Sequence, residues 1–244
     1  MIDKNRGYGV GYQIMTTGEF DADEVQFVLA LLRLRRQHFG NGVVAIDCGA
    51  NFGVHSVEWG RLMHNWGHVW SFEAQEKIFY ALAGNIIINN CLNVTARLAA
   101  VSDKEGYIKI AEPDYSIPSS FGSFELKKTD STEFIGQEID YSNPTQEVPL
   151  MPLDTLPITR LDLIKIDIEG MEEEALNGAI KLIQSHHPVL VIEIIKSNKD
   201  NIQTFLEEHG YQTFPFGLNV LAIHKEDPTL KSINLRGGQL SLTV

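Results

Sequence analysis

Residues 43–53, VVAIDCGANFG, decide the reading of this chain. Four apolar residues run into Asp47, and a turn carrying Gly49 and Gly53 follows at once. Val54 to Met63 then reads as a helix, with Val54, Val57 and Leu62 near helical spacing. A short buried strand, a glycine turn and a helix make the opening unit of a doubly wound α/β sheet. Ligands of such sheets lie beyond the carboxyl ends of the strands, where Asp47 to Gly53 falls. The spacing is Gly49-x-x-x-Gly53, so the G-x-G-x-x-G of a dinucleotide loop is absent. Asp47, at the mouth of the site, repels an anionic pyrophosphate and attracts an ammonium or sulfonium charge. S-adenosylmethionine carries both cations. The alternative is a plain strand-to-helix turn in which Asp47 only accepts hydrogen bonds from loop amides.

Outward from this unit, 244 residues suffice for one substantial core, and a single α/β domain over 1–244 is the simplest organisation. It divides into an N-terminal extension (1–40), a core (43–225), inserted strands and loops (107–148) and a tail (226–244). A hydrophobic content of 43% and a charged content of 21% are ordinary for a soluble globular protein. The net charge of −12 argues against nucleic acid as the main partner, and Arg33, Arg35 and Arg36 read as a solvated helix face. The longest apolar runs, such as VLVIEII, are too short to span a bilayer, and MIDKNRGYGVGYQ has no apolar signal core. Cys48 and Cys91 form neither a disulfide framework nor a metal cluster, so a cytoplasmic location is expected.

In the extension, Asp21 or Asp23 is placed to cap a helix reaching about His38, and this segment is free to fold over a ligand. His68 to Phe72 is a second strand, and Glu73 after it lies 20 residues beyond Gly53, the interval at which a carboxylate holds ribose hydroxyls. A surface glutamate opening the helix Ala74 to Asn90 is the competing reading. Val94 to Val101 reads as a third strand whose turn, from Ser102, borders an adenine ring. Between Tyr107 and Val148 the pattern is of hairpin strands and loops. Tyr115, Ser116, Ser119, Ser120 and Phe121 there suit a polar, sugar-like ligand, although a merely connecting loop fits as well.

Leu161 to Gly170, LDLIKIDIEG, crowds Lys165, Asp167 and Glu169 at the end of a core strand. Buried charges must pair, bind something or lie at an open edge. Asp167, Glu169 and Glu172 would suit magnesium or calcium at most, and no metal is assigned. Met171 to Ser185 reads as one helix. In PVLVIEII, Glu193 needs a partner, and Lys165 is the candidate. Tyr211 to Phe214 and Asn219 to His224 read as a closing antiparallel pair. The tail from Glu226 carries no recognisable chemistry.

Taken together, IDCGANFG, Glu73 of SFEAQE, Asn85 and Asn89 of GNIIINN, AAVSDKEG, PLDTL, KIDIEGMEEEAL and PVLVIE resemble the FkbM family of S-adenosylmethionine-dependent methyltransferases. The resemblance runs in the family's order from about Thr17 to His224. It implies a Rossmann-like class I methyltransferase fold, with helices on both faces of a seven-stranded, mostly parallel sheet whose last strand is antiparallel. It implies S-adenosylmethionine as cofactor, with Asp47, Gly49, Ala50, Asn51 and Gly53 along its methionine part, Glu73 at the ribose and Ala100 to Asp103, Ser102 included, at the adenine. Asp167 would face the reacting centre. Family members generally methylate hydroxyl oxygens in sugars or natural products, so a small-molecule or glycan acceptor is expected. Candidates for the base that takes its proton are Asp167, Glu169 and His55, with Glu193 behind them. Ala74-Gln75 departs from the family's proline-containing turn, and His55 stands where small or aromatic residues are common. A cofactor-binding protein without activity and an NAD-dependent oxidoreductase are the rival readings. No exposed heptad proposes a dimer.

Overall fold

The computed structural model describes residues 9–236 and 239–243. The first eight residues of the extension, and residues 237, 238 and 244 of the tail, lie outside the described residues. In chain order the first half is α1 (Val10–Thr17), α2 (Ala22–Phe39), β1 (Val43–Cys48), α3 (Val54–Leu62), β2 (Gly67–Glu73), α4 (Glu76–Ile88) and β3 (Val94–Leu98). There follow β4 (Ala100–Val101), β5 (Gly106–Ile110), β6 (Gln146–Met151), β7 (Leu163–Ile166), α5 (Glu172–Asn177), α6 (Ile180–His186) and β8 (Val189–Glu193). The chain closes with α7 (Lys199–Glu208), β9 (Tyr211–Phe216), β10 (Asn219–His224), β11 (Ile233–Arg236) and β12 (Gln239–Leu242).

Seven strands form the central sheet in the order β3-β2-β1-β7-β8-β10-β9, all parallel except β10. Both faces are covered, which is why β1, β7 and β8 read as nearly continuous apolar runs. Ile46, Phe72, Ile164, Ile166 and Ile192 fill one face against α5, α6 and α7. Val43, Ala45, Val69, Leu163 and Val191 fill the other, against Trp59 of α3 and Val25, Val28, Leu29 and Leu32 of α2. The chain leaves β1 toward β2 on one side, and β7 pairs on its other side. The strand order therefore reverses beside β1 and opens a crevice at the carboxyl ends of β1 and β7.

Several expectations change. Val94–Val101 is two strands: β3 stays in the main sheet, while β4 pairs β6 in a separate three-stranded sheet with β5. Met171–Ser185 is two helices, interrupted around Gly178, where a Cβ would lie 2.0 Å from the Ser102 carbonyl oxygen. The extension contributes two helices rather than one. Asp21 occupies the N-cap position of α2 without a side-chain cap bond. Arg35 is not solvated: it is 3% exposed and pairs with Asp162 and with Asp227 of the tail. The insertion has its own small core of Phe124, Ile135 and Val148. The β11–β12 hairpin packs on the main sheet through Ile233, Leu240 and Leu242. No helix among the described residues is long and apolar enough to cross a membrane.

Candidate active site

A cavity of about 1430 Å³ opens over the carboxyl ends of β1, β2, β7 and β8. Its walls come from the β1–α3 turn, α2, the β9–β10 turn, the insertion and β12.

The turn is built as its sequence requires. At Gly49, φ is +78°, and a Cβ would lie 1.7 Å from the Asp167 carbonyl oxygen, so only glycine lets this backbone rest on the end of β7. Asn51 takes the left-handed conformation at φ +49°, which asparagine tolerates better than most residues. Its N–H donates to Glu73 Oε2 at 3.0 Å, while its own Oδ1 is buried without a partner. Asp47 sits on the floor rather than at the mouth. It is 1% exposed, and Ser56 Oγ, which also contacts Ser71 Oγ, donates to its Oδ2 at 2.6 Å.

Glu73 ends β2 and faces the same cavity. The Gln75 N–H donates to its Oε1 at 2.8 Å. Burial outweighs these amide bonds and pushes its carboxyl up to about 7. Ala100 and Val101 continue the wall beyond it. Ser102 does not reach the cavity lining: its hydroxyl donates to Asp103. Gly53 also lies off the lining, turned toward Leu82 of α4.

The other end of the cavity is crowded with acids. Lys165, 4% exposed, donates from Nζ to Asp167 Oδ2 at 2.6 Å rather than pairing with Glu193. Glu169, at φ +56°, meets Lys196 Nζ at 2.6 Å. Burial exceeds the pull of that ammonium and lifts Glu169 to about 7; burial and then Asp167 and Glu169 lift Glu193 to about 8. Ligating oxygens of Asp167, Glu169 and Glu193 lie within 4.8 Å of one another. Glu172 does not join them, because its carboxylate accepts from the Ile168 and Gly170 amides and from Ser197.

His55 borders the cavity from the start of α3, its Nε2 3.2 Å from Glu24 Oε1 on α2. Of the five insertion residues expected to meet a ligand, only Ser120 lines the cavity. Tyr115 donates to Gln75 and Ser116 to Asp114, while Ser119 bonds the Ile117 carbonyl and Phe121 is buried. The insertion reaches the cavity instead through Gly122, Ser123, Phe124, Leu126 and Glu133. Lys196 holds it there, bonding the Ser123 carbonyl and meeting Glu133 at 3.2 Å.

Glu24, Lys196, Asn219 and the tail residues Leu240 to Leu242 escaped sequence reasoning, since each joins the site only through long-range packing. Glu24 had one weak signal: it is an acid in the first turn of a helix already read as lying ahead of the ligand loop. Ten carboxylates and two ammonium groups, both already paired, line the cavity among the described residues. Such a surface favours a cationic ligand over a phosphorylated one.

A family profile described as the methyltransferase FkbM domain matches residues 47–213. No curated protein matches the chain. Among solved structures, methyltransferase FkbM from Methylobacillus flagellatus is similar over 75% of this chain and 43% of its own, with 16% identity and a TM-score of 0.53. This chain therefore spans under half of that protein. A Staphylococcus aureus protein provisionally assigned as a caffeoyl-CoA O-methyltransferase is similar over 84% of each chain, with 10% identity and a TM-score of 0.51. Precorrin-6y C5,15-methyltransferase from Geobacter metallireducens aligns over 91% of this chain and 94% of its own, with 18% identity and a TM-score of 0.47. At these identities the first two likenesses speak to the fold alone, the Rossmann-like class I methyltransferase architecture.

Proposed function

The chain belongs to the methyltransferase FkbM domain family, and from that membership we propose that it uses S-adenosylmethionine to methylate a hydroxyl oxygen on a sugar, glycan or other natural product. One observation carries the reading: the Gly49 turn, Glu73 and the acids after β7 all open into one cavity. The residues suit the cofactor. Glu73 is an enclosed acceptor for ribose hydroxyls, and Asn51 Oδ1 is a buried acceptor lacking a donor. Asp47, Gly49, Ala50 and Asn51 would lie along the methionine part, and Ala100 with Val101 beside the adenine.

Bound there, the cofactor supplies an electrophilic methyl group on a sulfonium centre. The chain has to align the acceptor oxygen, exclude water and take the hydroxyl proton. Asp167 and Glu169 are the first candidates for that base, because both sit at the end of β7 and face the cavity. Lys165 and Lys196 fix their carboxylates and limit their freedom to rotate away. His55 is the third candidate, with one ring nitrogen engaged by Glu24 and the other buried. The assay is release of S-adenosylhomocysteine with a panel of hydroxylated acceptors, on wild type, Asp167→Asn and Glu169→Gln. Loss of turnover with S-adenosylhomocysteine affinity retained identifies the base. Full turnover in either variant removes that residue from the role.

A further inference from the structure

The part of the site wall that the family match leaves out carries its own chemistry. Glu24 and Asn219 both lie outside residues 47–213, and both line the cavity. Glu24 Oε1 is 3.2 Å from His55 Nε2, and Asn219 Nδ2 donates to Glu24 Oε2 at 2.9 Å. Groups from α3 and β10 therefore grip both oxygens of a carboxylate delivered by α2. His55 is itself packed, 8% exposed, with its ring centroid 5.4 Å from that of Trp59. Burial alone would raise the Glu24 carboxyl, but His55, Lys165 and Asn219 together hold it below its usual range. Lys165 leaves it free of a lysine ion pair by donating to Asp167.

The sheet order β2-β1-β7-β8-β10 sets Asn219 on the far side of β1 and β7 from Glu73. His55 stands two residues beyond Gly53, so the carboxylate it grips belongs to the region where the ligand turn feeds α3. If Glu73 takes the ribose, the amino-acid end of the cofactor extends past that turn toward this region. An ionised carboxylate with both oxygens fixed is matched to an ammonium group, because little freedom remains to be lost when the cation binds. We infer that Glu24 binds the α-ammonium of the cofactor's methionine end, with His55 and Asn219 as its positioning residues. The inference rests on the cofactor reading above.

The test compares two ligands by calorimetry on wild type and Glu24→Gln. S-adenosylhomocysteine carries the amino-acid end, whereas 5′-methylthioadenosine has the same nucleoside and a thioether sulfur without it. The expected result is a rise of about tenfold or more in Kd for S-adenosylhomocysteine, with 5′-methylthioadenosine unchanged. Asn219→Ala should shift the first Kd in the same direction and by less. Equal weakening of both ligands would mean that Glu24 only docks α2, and no weakening of either would mean that it touches nothing; each result overturns the inference. A wild type that binds neither ligand overturns the cofactor reading itself, and this inference with it.

Discussion

Glu73 shows how burial sets the behaviour of a single group. Its carboxyl rises from 4.5 to about 7 because desolvation outweighs three backbone bonds. In the protein without ligand the protonated form is thus favoured up to near neutrality. Hydroxyl groups that donate to the carboxylate favour the ionised form and lower its pKa in the complex. Linkage then requires affinity for S-adenosylhomocysteine to rise as pH climbs from about 6 to about 8, with a proton released on binding near neutrality. Calorimetry at about pH 7 in buffers of different ionisation enthalpy measures that proton. Glu73→Gln should abolish the release and weaken binding by about tenfold. A release that persists in the variant would assign it to another group.

Among the elements, α5 and α6 show what a local reading of sequence sees and what it misses. Met171 to Ser185 carries a helical pattern, and its one break signal, Asn177-Gly178, is too short to outweigh that pattern on local grounds. The break arises because the helix passes over the β4 corner, where Gly178 lies against the Ser102 carbonyl. Helix propensity alone would have Gly178→Ala stabilise by about 1 kcal/mol. The backbone φ is −75°, so no strain opposes alanine there, but the Cβ would lie 2.0 Å from a backbone oxygen. The clash wins, and the expected outcome is a loss of about 2 kcal/mol, or about 4–8 °C in Tm, read by thermal unfolding. A raised Tm would show that α5 and the corner yield easily. The same distinction separates the legible strands from the rest. β1, β7 and β8 are buried on both faces, so their apolar runs marked them as core strands, and the Gly49 turn and Glu73 followed by interval. The split at Ala99 and the arrival of Glu24 depend on residues tens of positions away and left no periodic trace, whereas Lys165 pairs with Asp167 only two residues on, a choice that alternation along a strand does not announce.

Across the whole molecule, charge both ties the ends together and makes the site costly. Arg35 joins α2 to Asp162 before β7 and to Asp227 in the tail, all largely buried. Asp227→Ala leaves the buried Arg35 only the carboxylate of Asp162, which Arg160 shares, so the change should cost about 3 kcal/mol in chemical unfolding. A change below about 1 kcal/mol would show that the tail carries little of the load. The cavity acts in the opposite sense. Glu73 and Glu169 at about 7, and Glu193 at about 8, all lie above their ordinary 4.5. Stability from such raised carboxyls is fully present below about pH 4.5 and is lost as pH rises through the folded values. The ligand-free protein should therefore melt lower at about pH 8.5 than at about pH 6. Glu193→Gln should recover about 1 kcal/mol, or about 2–4 °C, at the higher pH and almost nothing at about pH 5. An equal gain at both would point to packing rather than charge. A site that holds buried acids in excess of its ammonium groups, at a stability cost, is arranged for a cation.

That arrangement is tested most directly by calorimetric titration of the wild-type chain with S-adenosylmethionine, S-adenosylhomocysteine and NAD. Micromolar binding of both S-adenosyl compounds and none of NAD is the predicted result. Binding of NAD alone, or of none of the three, would contradict the central claim.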